Sequence, residues 1–359
     1  VETVKAVRER LREKSLDGLL LYNHEGSNRS SVTYVSGFTG SLAVVIVTMD
    51  ENLLITDSRY YTQALEETDF ELVKLDSSSK IEEITATVLK QKNLKRVAFE
   101  SDKITHSRFL GLSEAADDIE FVDSNSLVGD LRAVKSDKEI EKIREAVRIA
   151  EESLKEALNV IRAGRREIEV AAALEYEIRR RGGKIAFDTI VVSGERSALV
   201  HGTPSDRPIG DGEFVLIDFG VRFRGYCSDI TRTFCVGRPD HRMRSVYETV
   251  YNAQKTARER ARAGITGKAL HFVAQDIIAE AGFGEYFGHG LGHGLGMDVH
   301  ESPGASPNND RPLEEGNVIT VEPGIYIPKE FGIRIEDDVV IKTEGIAVLT
   351  TFERDLMLL

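Results

Sequence analysis

The 359-residue chain has no tryptophan, only two cysteines and far fewer Lys and Arg (47) than Asp and Glu (60). It also lacks any apolar run of the roughly 20 residues that a membrane helix needs. Each shortage excludes something. Cys227 and Cys235 stand eight apart with no metal-type spacing, so they read as reduced, buried thiols and not as a disulfide framework. A net charge of −13 argues against nucleic acid or an anionic membrane as partner. The opening VETVKAVRERLREKSLD is a charged amphipathic helix, not a signal peptide, and the expected compartment is the cytoplasm. What remains is a soluble, globular composition, 41% hydrophobic and 30% charged, long enough for two domains. Abundant Glu, Lys and Arg without tryptophan is a balance compatible with a thermophile.

Residues 1–127 alternate apolar runs with turn-formers. DGLLLY (17–22), VTYVSGF (32–38), SLAVVIVT (41–48), NLLITD (52–57), FELVKLD (70–76), RVAFE (96–100) and IEFVD (119–123) read as strands, with helices near 81–92 and 105–116. This predicts an α/β domain with a mixed sheet. Asp57, Arg59 and Tyr60 have no His, Cys or paired acids beside them and read as a salt-bridged turn. Asn28-Arg29-Ser30 fits a glycosylation sequon, which has no meaning in the cytoplasm.

From residue 128 to 359 the pattern differs. Ser136 and Glu139 form a capping box that opens a long helix, Gly164 breaks it, and REIEVAAALEYEIRRRGG makes a second helix. Strands follow at 186–194, 213–221 and 226–236. The segment then starts over with helices near Pro239 and Thr266, a glycine-rich stretch, and strands at 316–327 and 333–341. Helix starts, Asp218 and Glu322, Asp229 and Glu336, and His201 and His300 all recur at an offset of about 100 residues, which points to two related halves and a pseudo-twofold α+β domain.

The stretch Gly288–Pro303, GHGLGHGLGMDVHESP, gathers His289, His293 and His300 among alternating glycines. Each interior glycine costs a helix roughly 1 kcal/mol, so His289 and His293 are not a helical metal pair. An extended strand would place His289, Leu291, His293 and Leu295 on one face, leaving the glycines open to close approach from behind. His300 has the opposite parity and must return through a turn.

Asp218, Asp229, Glu322 and Glu336 are set in Val- and Ile-rich strands, paired two by two across predicted hairpins. Unneutralised carboxylates in a core would cost several kcal/mol each. Two divalent ions would balance four carboxylates, and a His293 imidazole would complete an O/N ligand set suited to Mn²⁺, Co²⁺, Zn²⁺ or Fe²⁺. The alternative is four acids individually salt-bridged at a surface.

Taken together, the His201 segment, the Asp218…Asp229 pair, HGLGHGLGMDVHESP, TVEPG and RIEDD resemble the dinuclear pita-bread metallopeptidases, the group of aminopeptidase P, prolidase and methionine aminopeptidase. NRSSVTYVSGFTGS…DSRYYTQA is similar to the creatinase-type domain in front of the first two. The resemblance implies metal ligands at Asp218, Asp229, His293, Glu322 and Glu336, with Asp229 and Glu336 bridging two ions, Mn²⁺ or Co²⁺ ahead of Zn²⁺, and a hydroxide held between them as nucleophile. It implies Glu322 as proton acceptor, His300 and His201 as groups contacting the scissile region, His289 as part of the pocket for proline, Arg334 as its support or a substrate contact, and Tyr326 as a partner behind it.

On this resemblance the expected activity is that of an Xaa-Pro aminopeptidase acting on peptides with proline second, and the alternative is prolidase, which cleaves Xaa-Pro dipeptides. Many prolidases carry an arginine after the HExP segment, suited to the dipeptide carboxylate. Gly304 stands there here, although Arg311 or Arg334 could substitute. A homodimer is implied. Intact ligands argue against a metal-free creatinase-like hydrolase and against a non-catalytic binding module, and the absence of GKS or GKT argues against phosphate cradling. His271 and His241 read as structural or exposed, and Cys227 as a small buried side chain.

Overall fold

Apolar runs too short for helices and punctuated by Gly, Asp and Asn build the first of two units in the computed structural model, which describes residues 2–359. This unit ends at Arg132 and the second is Ala133–Leu359. Strands β1 (Gly18–His24), β2 (Leu42–Thr48), β3 (Asn52–Asp57), β4 (Glu71–Leu75), β5 (Arg96–Phe99) and β6 (Glu120–Asp123) form one sheet in the order β4-β3-β2-β1-β5-β6. The β1–β2 and β2–β3 pairs are antiparallel and the others parallel, so the sheet is mixed, as expected. Its central strands are buried on both faces, under α1 (Glu2–Glu13), α2 (Arg29–Ser36), α3 (Tyr61–Glu67), α4 (Ile81–Gln91), α5 (His106–Ala115) and α6 (Asn125–Ala133). The Asp57–Arg59 salt bridge, at 2.9 Å, sits in a turn.

One expectation fails here. VTYVSGF is not a strand: residues up to Ser36 belong to α2. Val32 and Val35, three apart, bury one helical face, and Gly37 closes the helix with φ 82° and its N–H on the Thr33 carbonyl. Burial at helical spacing overrides the β-propensity of Val, Thr and Tyr.

In the second unit, two halves repeat a helix pair and a hairpin. The first half has α7 (Asp137–Ala157), α8 (Glu167–Arg180), β7 (Lys184–Ile185), β8 (Ile190–Ser193), β9 (Glu213–Phe219), β10 (Val221–Phe223), β11 (Tyr226–Cys227) and β12 (Ile230–Val236). The second has α9 (His241–Arg260), α10 (Gly267–Glu280), β13 (Gly292–Gly294), β14 (Glu301–Ala305), β15 (Val318–Val321), β16 (Gly324–Ile327), β17 (Phe331–Arg334), β18 (Asp337–Ile341) and β19 (Ile346–Val348). Glu139 caps α7 as predicted, its carboxylate accepting from the Ser136 N–H at 2.9 Å. The correspondence extends to loop hydrogen bonds: Gly164 N–H donates to Ile209 O and Gly264 N–H to Leu313 O, at 2.8 and 2.9 Å.

Each hairpin changes sheets midway. β9 and β12 pair in the sheet β12-β9-β8, while their extensions β10 and β11 pair in β11-β10-β7. Likewise β15 and β18 pair in the sheet β14-β13-β15-β18-β19, while β16 and β17 form a separate ribbon. The acids sit at or beside these crossovers. Asp218 is on β9, but Asp229 lies between β11 and β12, Glu322 directly after β15, and Glu336 between β17 and β18. The sequence-based placement of all four within strands is thus corrected for three, because the chain bends there to leave one sheet for the next.

Candidate metal centre and active site

The glycine-rich stretch is barely a strand. Between Gly288 and His300 only Gly292–Gly294 form a strand, with an irregular register against β14 and Gly294 opposite Ile319 on β15. Leu291 and Leu295 are fully buried, whereas His289 and His293 line a cavity, so the expected shared face does not exist. The glycines do admit close approach: a Cβ on Gly292 would collide with the Thr320 carbonyl, and one on Gly294 with the Glu301 carbonyl. The loop is also held from behind. His271, on α10 and 2% exposed, accepts the Leu291 N–H at Nδ1 (3.2 Å) and donates from Nε2 to Gln275 (2.6 Å).

His201, Asp218, Asp229, His289, His293, His300, Glu322, Arg334 and Glu336 all line one cavity of about 820 Å³. Tyr326 stands behind its wall. His293 donates from Nδ1 to Gly294 O at 3.1 Å, which turns Nε2 towards Glu322 Oε1 (3.3 Å) and Asp229 Oδ2 (3.6 Å). Ligating atoms of Asp229, His293 and Glu336 lie within 4.8 Å of one another. Asp218 Oδ1 and Asp229 Oδ1 are buried without a hydrogen-bond partner. Orphaned carboxylate oxygens beside an imidazole with a free lone pair are the donor set a divalent cation takes.

The electrostatics agree. Burial, then the neighbouring carboxylates, push Asp229 and Glu336 well above the usual range. Burial lifts Glu322 to about 8 although Arg334 opposes it. Burial, then His300, lowers His293 to about 4, so the imidazole is neutral and able to ligate. The alternative of acids salt-bridged one by one at a surface does not hold: Asp218, Asp229 and Glu336 are buried and Glu322 is partly buried, and among the described residues Asp218 alone of the four pairs with a guanidinium, that of Arg334.

Arg334 is 2% exposed and spends its donors on Asp218, on Thr231 Oγ1 (3.0 Å) and on the Tyr326 hydroxyl (2.7 Å). Tyr326 in turn donates to His289 Nε2 at 3.0 Å, and His289 Nδ1 donates to Gly290 O at 2.7 Å. His289 is neutral, lowered to about 4 by burial and then by Arg334. With both nitrogens engaged, it offers the cavity a flat wall. His201 and His300 are exposed at the rim, and the His300 ring stands 4.2 Å from that of His293.

Sequence reasoning missed three supports. Thr320 Oγ1 donates to Glu322 Oε1 (3.1 Å) and accepts the His293 N–H (3.0 Å). Thr231 Oγ1 donates to Glu336 Oε2 at 2.6 Å. Asp338, raised well above its ordinary range by burial, accepts the Asp229 N–H at 3.0 Å. Two of them carried a signal, a threonine two residues from an acid on the same strand path (Thr320 and Glu322, Asp229 and Thr231). Gly304, Arg311 and His241 are not among the residues lining the cavity.

Residues 141–343 match metallopeptidase family M24, and residues 4–134 match the creatinase/prolidase N-terminal domain. The Xaa-Pro dipeptidase of Pyrococcus horikoshii is 40% identical, covering 99% of both chains. Among solved structures, an X-Pro aminopeptidase from Thermotoga maritima superposes with a TM-score of 0.93 at 43% identity, covering 99% of both chains. An Xaa-Pro dipeptidase from Bacillus anthracis gives 0.95 at 40% identity, covering 100% of this chain and 99% of that one. With the family match spanning more than half of its length and relatives matching end to end, this chain belongs to metallopeptidase family M24, with a creatinase/prolidase-type domain preceding the catalytic one.

Proposed function

We propose that the chain hydrolyses Xaa-Pro dipeptides as a metal-dependent prolidase. The observation that carries the metallopeptidase chemistry is the convergence of Asp218, Asp229, His293, Glu322 and Glu336 on one cavity, with two buried carboxylate oxygens left unpartnered. Dipeptides are favoured over longer substrates because full-length relatives at 40% identity carry the name Xaa-Pro dipeptidase. That reverses the order expected from Gly304. The two-ion site, Mn²⁺ or Co²⁺ as its metal, the homodimer, the cytoplasmic location and the domain division at residues 127 and 128 belong to the same reading. No described helix is long and apolar enough to cross a membrane.

Divalent ions, when bound, supply a water of lowered pKa and polarise the peptide carbonyl. The chain's residues do the rest. Glu322, held by Thr320, accepts the proton of the attacking water and returns it to the proline nitrogen as that bond breaks. His300 and His201 donate to the carbonyl oxygen as charge develops on it. An Xaa-Pro bond is a tertiary amide without an N–H, so selection for proline rests on shape, and the flat wall of His289, fixed by Tyr326 and Arg334, meets the ring.

One observation favours the second reading, an Xaa-Pro aminopeptidase. Arg334 is the sole Lys or Arg lining the cavity among the described residues, and it is already engaged with Asp218, so no free cation awaits a dipeptide carboxylate. The deciding assay is Mn²⁺- or Co²⁺-supplemented hydrolysis of an Xaa-Pro dipeptide and of the same dipeptide extended by several residues, with a chelator control. Faster dipeptide cleavage is expected. Preference for the extended peptide would establish the aminopeptidase, and full activity in chelator would overturn the metal chemistry altogether.

A further inference from the structure

The cavity is longer than the ligand cluster requires, and its outer part is built by the first half. On α8, Ile168, Ala171, Ala172 and Glu175 follow the i, i+3, i+4, i+7 spacing of one helical face and all line the cavity. The two alanines leave a trough between Ile168 at one end and Glu175 about 10 Å along the axis. Phe187 and Asp188 also line this part, and the chain leads from them through Thr189 to Ile190, whose β8 position pairs with Asp218. The trough is therefore continuous with the metal centre from the Asp218 side, whereas His289, Tyr326 and Arg334 come from the second half.

Three features of the trough lack a protein partner. Glu175 and Asp188 both line the cavity, and neither side chain has a hydrogen bond or a salt bridge among the described residues. Thr189, 4% exposed, has a buried hydroxyl with no hydrogen-bond partner. Apolar walls ending in uncompensated carboxylates match a side chain with a long aliphatic stem and a cationic tip.

Resting on the Xaa-Pro reading, we propose that this trough receives the side chain of the substrate's first residue and selects lysine or arginine there, through Glu175 and Asp188. With proline against His289 in the second half, the first residue lies on the side of the first half, where the trough opens.

The test uses the metal-loaded enzyme and two substrates that differ only at the side-chain tip, Lys-Pro and norleucine-Pro, each also in extended form. Both carry the same α-amine, so the ratio isolates the ε-ammonium group. Because the trough is partly open to water, the expected kcat/KM preference for lysine is roughly fivefold. Glu175→Gln with Asp188→Asn should bring the ratio close to one, and Glu175→Lys should turn the preference towards Glu-Pro. Titration calorimetry on chelator-treated protein supplies a readout without catalysis, with Lys-Pro expected to bind more tightly than norleucine-Pro. Equal kcat/KM for the two substrates, or a lysine preference untouched by the substitutions, overturns the proposal while leaving the Xaa-Pro activity standing. Absence of any Xaa-Pro hydrolysis overturns the activity instead, and the calorimetric comparison still decides the trough.

Discussion

Stripping the metal should leave an enzyme whose stability falls with rising pH between 6.5 and 8. In the folded, metal-free chain Glu322 holds its proton up to about 8, against an ordinary value of 4.5, with burial as the main cause. In that interval the unfolded chain has released this proton and the folded chain has not, so the folded state binds more protons and stability falls by about 1.4 kcal/mol per pH unit. Below 6.5 the histidines oppose this. His293 and His289, both lowered to about 4, are neutral when folded and charged when unfolded, so they add stability as pH rises from 4 to 6.5. Above 6.5 the unfolded histidines lose their remaining charge, so their opposition fades over about one further pH unit and the carboxyl effect then stands alone. From 6.5 to 8 Glu322 accounts for a loss of about 2 kcal/mol, with Asp229 and Glu336 shifted in the same direction. For a unit the size of Ala133–Leu359 this is a fall of about 4–8 °C in melting temperature. Thermal melts of chelator-treated and Mn²⁺-loaded protein across this interval provide the assay, with the slope expected only in the former. A flat or rising melting temperature in the metal-free protein would refute the reasoning, because it would mean that the carboxyls are already ionised without a cation.

Three further outcomes follow from individual contacts. His293→Ala should abolish metal binding and nearly all activity, measured by equilibrium dialysis and turnover. His271→Ala should keep the metal but cost about 1–3 kcal/mol in urea unfolding, since it strands the buried Leu291 N–H. Gly292→Ala should lower both melting temperature and metal affinity, because its Cβ would collide with the Thr320 carbonyl on the strand that positions Glu322. Unchanged metal affinity in that variant would show that the strand can yield.

The amino-acid sequence by itself determined the mixed α/β unit, the repeat of helix pair and hairpin, and the group of residues that meets at the cavity. Acids in apolar strands and histidines among glycines are costly unless something uses them, and that cost makes them legible without a structure. Burial at helical spacing, by contrast, decided that Val32–Ser36 coils in spite of its β-branched residues, and no local signal outweighs such packing. Tertiary structure alone decided that Asp229, Glu322 and Glu336 lie where strands pass between sheets, that Leu291 and Leu295 turn away from their histidine neighbours, and that Arg334 is paired with Asp218. It also decided that Thr231, Thr320 and Asp338 brace the ligands, and that Glu175 and Asp188 face the same cavity unpaired. Threonines and surface acids are common everywhere in a chain. Their roles come from which strand or helix lies opposite, and that is set only when distant segments pack.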